Sequence, residues 1–218
     1  MQEFWEYFLQ LLDAEALLRS GGFYLVVFIV FAETGLFFGF FLPGDYLLFL
    51  SGIFCASGML NVDIVTLCLG LFAAGVLGNF TGYWFGWRTG PMLFKRKDTW
   101  LFKRRYVVMA EEFYHKYGGA ALIIGRFMPI IRTFAPILAG IVKLNFRRFV
   151  VYNVAGATIW VLLLTLSGYF LGRRFPQISH YVEYIIVGFI AISFTPILIT
   201  LIRRKLRLNK ADKTEIKE

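Results

Sequence analysis

The sequence predicts an all-α fold: a polytopic integral membrane protein in which two inverted-repeat, re-entrant helical hairpins sit among transmembrane helices. Three observations lead there. First, 58% of the 218 residues are hydrophobic and only 17% charged, and the apolar residues come in runs too long for a soluble core. Residues 149–172 and 181–202 each hold about the 20 apolar residues that a bilayer requires, and 64–87 form a third such run. Second, Arg126, Pro129, Arg132 and Pro136 interrupt the otherwise apolar stretch 125–140. A guanidinium at bilayer depth costs roughly 2.5–3.5 kcal/mol. Proline breaks the helical ladder, and such breaks persist at membrane depth only where the freed groups face protein or a water-filled cavity. The stretch therefore reads as a broken, re-entrant segment lining a polar site, with its arginines marking an anionic partner. Third, the same grammar occurs twice, in 41–52 and 127–140.

In chain order, residues 1–20 place Phe4, Trp5, Phe8, Leu11 and Leu12 on one helical face and Glu3, Glu6, Gln10 and Asp13 opposite, the pattern of a helix lying in the membrane interface. Gly21 and Gly22 then release the chain into the apolar stretch 23–59, interrupted by Glu33 and by Phe41-Leu42-Pro43-Gly44-Asp45. A straight helix cannot run through Pro-Gly, and each arm is barely long enough to cross, so a hairpin that enters and leaves by one face is predicted. The alternative is two ordinary spans joined by an exposed Pro-Gly-Asp turn. That reading still leaves Glu33 needing a partner in mid-span.

Along 64–90, Gly70, Ala74, Gly78, Gly82, Gly86 and Gly90 recur every fourth position. Such a stripe lets another helix approach closely, with Asn79 and Thr81 beside it as interhelical hydrogen-bonding groups. The basic loop 95–105 follows, then an amphipathic helix over 106–117 that stops at Gly118-Gly119. A second hairpin is predicted over 119–142. The chain thus divides into an interfacial helix (1–20), a core (21–175), a C-terminal transmembrane helix (176–203) and a basic tail (204–218).

The net charge of +9 is explained by topology rather than by nucleic acid, because the basic residues cluster just outside the apolar spans. The loop 95–105, the group Lys143, Arg147 and Arg148, and the tail from Arg203 all read as cytoplasmic. With 119–142 re-entrant, 149–172 crosses outward and 181–202 crosses back, so the C-terminus is cytoplasmic and the first hairpin opens outward. Arg173 and Arg174 then lie outside, against the rule. No cleavable signal is expected, since the first residues lack a basic region and an Ala-x-Ala site. Cys55 and Cys68 read as small core residues, His115 and His180 as isolated, and neither a metal nor a cofactor is expected.

The two repeats both read Phe-x-Pro, then a charge, then an apolar run closed by a small residue and glycine. Because they open to opposite sides, they match the inverted-repeat layout in which broken segments meet near the midplane and form a site. The first brings Glu33 and Asp45, the second Arg126 and Arg132. Pro43, Gly44, Pro129, Pro136 and Gly140 are the expected hairpin-shaping residues. A structural double ion pair is one reading of the four charges. The other is a site, because arginine can clasp a phosphate bidentately, and a buried carboxyl can carry a proton.

The motifs Glu33-Thr34-Gly35, Phe41-Leu42-Pro43-Gly44-Asp45, 113–118 and above all Gly125-Arg126-Phe127-x-Pro129-x-x-Arg132-Thr133 with Pro136 and Ala139-Gly140 resemble those of the DedA family of bacterial inner-membrane proteins. That family belongs to the VTT-domain superfamily and shares a domain with eukaryotic lipid scramblases. The resemblance spans about residues 20–175. It implies a multi-pass bacterial inner-membrane protein in which Glu33, Asp45, Arg126 and Arg132 are functional and Glu33 and Asp45 are the proton-coupling candidates. The implied function is the movement of undecaprenyl phosphate or a phospholipid, driven by protons. A proton-coupled ion antiporter or channel and a lipid-phosphate enzyme stay open as alternatives, although no nucleophile–base pair or two-metal carboxylate cluster supports an enzyme. Oligomeric state stays open as well.

Overall fold

The computed structural model describes residues 14–36, 44–95, 120–127, 129–175 and 177. Among them every element is helical: α1 (Ala14–Gly35), α2 (Gly44–Ala56), α3 (Ile64–Lys95), α4 (Ala120–Ile124), a 3-10 turn (Gly125–Phe127), α5 (Pro129–Ile141) and α6 (Phe146–Arg174). The predicted interfacial face on 1–13, Pro43, the basic loop beyond Lys95, the helix over 106–117, the span 181–202 and the tail lie outside the described residues.

Local chemistry sets the helix ends. The Asp63 carboxylate accepts hydrogen bonds from the Val65 and Thr66 backbone N–H groups at 3.0 and 2.9 Å and so caps α3. These bonds, the one from the Thr66 hydroxyl foremost, hold the Asp63 carboxyl below the usual carboxylate range. Asn145 caps α6 by accepting from the Arg148 N–H at 3.3 Å. Pro129 opens α5, where a missing N–H leaves no gap in the ladder. Helix α1 bends at Gly22, whose φ of 53° is open to glycine.

Two of these helices are long and apolar enough to cross a membrane, α3 over Ile64–Gly90 and α6 over Phe146–Arg174. At 27 and 29 residues they reach ~40 and ~44 Å, against a hydrocarbon core of ~30 Å. Helices α2 and α5, of 13 residues each, reach only ~20 Å and cannot cross alone. The spans predicted at 64–87 and 149–172 are found but extended. The backbone ladder does not stop where apolar residues stop, so α3 runs on to Lys95 and α6 takes in Arg147, Arg148, Arg173 and Arg174.

Two predicted bends are corrected. Pro136 sits inside α5 and does not break it; only the ladder bond it would donate to the Arg132 carbonyl is lost, and Pro136 itself is buried. Gly140 also lies within α5, and its role is close packing. The break in this segment falls earlier, at the 3-10 turn before Pro129.

The helices pack by exchange. Helix α1 lies along α3 and α4 against α6, whereas α2 lies along α6 and α5 along α3. The second arm of each pair thus rests on the other half's long helix. Glycines make both crossings. A Cβ at Gly52 would strike the Thr165 carbonyl, and one at Gly168 the Phe49 carbonyl. At the other crossing, a Cβ at Gly140 would strike the Tyr83 carbonyl, and one at Gly86 the Ile137 carbonyl. Gly172 and Gly90 repeat the relation one turn on, against the Ile53 and Ile141 backbones at 3.0 and 3.2 Å. Phe49, Gly52 and Ile53 therefore correspond to Ile137, Gly140 and Ile141, and Gly86 and Gly90 to Gly168 and Gly172, with a constant offset within each set. The stripe on α3 serves packing as predicted: Gly78 meets Thr34 and the Phe31 carbonyl of α1, and Gly70 meets Phe23.

Candidate functional site

Four polar positions converge where the exchanged arms meet. Glu33 sits in the last turn of α1, Asp45 in the first turn of α2, Arg132 in α5 and Trp160 in α6. Glu33 and Arg132 are each 2% exposed, so no water shares their charge. Arg132 answers this by pairing with both acids, its Nη2 donating to Glu33 Oε1 and its Nη1 to Asp45 Oδ1. The same Asp45 oxygen accepts from the Trp160 indole N–H at 2.7 Å. The Trp160 ring lies 4.7 Å from the Arg132 guanidinium carbon and 5.6 Å from that of Arg126, within reach of a cation–π attraction to each. Asp45 is the wet member, with its side chain 23% exposed.

Gly44 gives the cluster its closeness. A Cβ there would overlap the Glu33 carboxylate, so only glycine lets the first turn of α2 abut the acid. Gly44 thus opens α2 and makes room for Glu33.

Arg126, in the 3-10 turn, is 1% exposed and does not join the acids. Its Nη1 donates to the Asn153 carbonyl at 3.2 Å, and its Nη2 to the Gly75 carbonyl at 3.2 Å and to Asn153 Oδ1 at 3.0 Å. Asn153 is held in turn by Asn79, whose amide donates to Oδ1 at 2.8 Å, while its own amide donates to the Val76 carbonyl at 3.2 Å. The second arginine is therefore tied to neutral acceptors of α3 and α6. Of the four charges expected to converge, three meet and the fourth is tied in alongside, so the double ion pair is not what forms. Glu33 Oε2, Arg126 Nε and Arg132 Nε are buried without a hydrogen-bond partner among the described residues.

Asn79 bonds across helices as its place beside the stripe predicts, while Thr81 Oγ1 donates mainly within α3, to the Gly78 carbonyl at 2.6 Å. Sequence reasoning missed Asn153 and Trp160. Both lie in what reads simply as a span, yet Asn153, Ala157 and Trp160 recur at helical spacing and all three are buried. A buried amide on that face was the available signal. Cys55 and Cys68 are free thiols.

Residues 42–170 match the VTT domain family. Over 191 residues, 87% of each chain, the sequence is 38% identical to Protein DedA of Escherichia coli strain K12. The chain belongs to the DedA family. This DedA-family chain is also 38% identical over 180 residues to the uncharacterized membrane protein Rv0364 of Mycobacterium tuberculosis, covering 82% of this chain and 78% of that one. It is 37% identical over 158 residues to the inner membrane protein YqjA of Escherichia coli, covering 70% and 69%. No solved structure matches it. The family read from the arginine and Pro-Gly-Asp motifs is thus the family to which the chain belongs, and the chain is a membrane protein with apolar helical spans.

Proposed function

We propose that this DedA-family chain is a translocase that moves a lipid phosphate, such as a polyprenyl phosphate or a phospholipid, across the bacterial inner membrane together with protons. The observation that carries the reading is the Arg132 guanidinium clasped on both edges by the buried Glu33 and the partly exposed Asp45. Its two Nη groups have the spacing that a phosphate takes bidentately, and two carboxylates hold that place instead. A proton on Oε2 of Glu33, the carboxylate oxygen that does not bind Arg132, neutralises that acid, loosens one edge of Arg132 and admits the phosphate. Loss of the proton on the other side restores the clasp and expels the phosphate. Arg126, tied to carbonyls nearby, adds positive potential without competing for the acids. In this reading α1–α2 and α4–α5 are re-entrant hairpins, consistent with α2 and α5 being too short to cross alone, the lipid tail stays in the bilayer, and the C-terminus is cytoplasmic.

Purified protein in proteoliposomes should move labelled lipid phosphate, faster when the inside and outside pH differ. Arg132→Ala should abolish that movement, and it should also destabilise the fold by about 3–5 kcal/mol, because two buried carboxylates lose their partner. Glu33→Gln keeps the shape and should bind lipid without responding to the pH gradient. Equal lipid movement by wild type and Arg132→Ala rejects the reading. Ion flux without lipid movement would assign the same charges to ion exchange.

A further inference from the structure

Away from the charge cluster, a groove of about 490 Å³ opens on the outer side of α3 and α6, lined by Phe80, Tyr83, Trp84, Trp87 and Phe146. Its volume falls within the roughly 300–1,000 Å³ typical of small-molecule sites. All five lining residues are aromatic. Trp84, Trp87 and Phe146 are 59%, 50% and 55% exposed, a large apolar surface left open.

The groove is preformed. Tyr83 stacks on Phe149 with ring centroids 4.4 Å apart, and Phe146 packs on Tyr83 and Phe80 at 5.7 and 5.9 Å. The Tyr83 hydroxyl donates to the Leu144 carbonyl at 2.7 Å, fixing the turn into α6. That turn holds Lys143 at a φ of 53°, a conformation uncommon for a residue with a side chain. Its place along the spans is equally defined. The apolar part of α3 ends at Gly90 and α6 begins at Phe146, so the groove lies at the level where both spans leave the bilayer, where tryptophan gathers.

The exposed residues next to its lining in sequence carry one sign of charge. Arg88 follows Trp87, and Arg147 and Arg148 follow Phe146; all three are exposed, as is Lys143. Residues 80–90 and 142–152 contain no Asp or Glu. An aromatic floor at the boundary, flanked in α3 and α6 by exposed basic residues, suits a hydrocarbon chain ending in an anionic head group. We propose that this groove is a binding site for an anionic membrane phospholipid, its chain against Trp84, Trp87 and Phe146 and its phosphate at Arg88, Arg147 and Arg148. The site needs no transport activity and stands apart from the reading of Arg132.

The test uses the full chain in vesicles of phosphatidylcholine doped with lipid brominated along the acyl chain, bromine being a contact quencher of tryptophan. The difference between wild type and Trp84→Phe/Trp87→Phe isolates those two of the five tryptophans. At equal mole fraction, brominated phosphatidylglycerol should quench them about fivefold more effectively than brominated phosphatidylcholine. Arg88→Gln/Arg147→Gln/Arg148→Gln should erase the preference, and the three matching Lys substitutions should keep it. Equal quenching by both lipids in wild type overturns the proposal, as does a preference that survives in the Gln variant. Absence of quenching by either lipid also overturns it, and would mean that another protein surface, such as a second copy of the chain, covers the groove.

Discussion

At the scale of single residues, the site rests on how one guanidinium is shared. Arg132 has two acids and one aromatic face, and Trp160 supplies both that face and a donor to Asp45. These two roles separate by substitution. Trp160→Phe keeps a ring and loses the N–H, which should lower stability by about 1 kcal/mol, since the bond is to a charged group but Asp45 is partly open to solvent. Trp160→Leu loses the ring as well and should be destabilised further. Thermal unfolding in detergent checks the order, and identical melting of Phe and Leu variants would show that the ring contributes nothing. Glu33, Asp45 and Arg132 were legible in the sequence because a charge inside an apolar run stands out on composition alone. Trp160 was not, since an aromatic in a span has no such contrast. Arg126 was legible as a buried charge, but two of its three hydrogen bonds go to backbone carbonyls, which every residue carries and no sequence pattern marks.

Among elements, the decisive contacts are backbone on backbone. The every-fourth-residue glycine pattern announced close packing, but its members differ in how close. At Gly86 a Cβ would collide with the Ile137 carbonyl, whereas at Gly82 it would meet Ile137 and Pro136 side-chain atoms at 3.5 Å, an ordinary contact. Gly86→Ala should therefore cost about 1–3 kcal/mol, while Gly82→Ala should stay near wild type. Melting curves of the two variants test this, and an equal change at both would mean that the carbonyl contact at Gly86 does not decide the cost. The Phe-x-Pro repeat sets 41–52 beside 127–140, and within these stretches Gly52 and Gly140 each make a close helix crossing. The smooth passage of α5 through Pro136 was not legible, because proline breaks a helix only when the lost bond and the ring clash are not accommodated by neighbours.

For the whole molecule, the proposed topology sets sidedness. Gly58 precedes α3 at its first end, and Lys143 lies beside the other end, where Phe146 packs on Tyr83. With Cys55 and Cys68 replaced by serine, Gly58→Cys in intact cells should react with a membrane-impermeant maleimide, and Lys143→Cys should react only in inside-out vesicles. Labelling of both from one side would reject opposed hairpins. This proposed layout rests on hydropathy and the positive-inside rule, and neither says which long helix each short arm chooses. That choice depends on carbonyl-to-glycine fit.

The exchange of arms also governs how the protein is made. During translation α2 leaves the ribosome about a hundred residues before α6, the surface against which Phe49, Gly52 and Ile53 pack. Until α6 has been inserted, lipid or the insertion machinery must shelter that arm, and α3 likewise waits for α5. Maturation is thus a late, concerted clasping of segments distant in sequence, the kind of closure that folds slowly, and it assembles Arg132, Asp45 and Trp160 only in its final step.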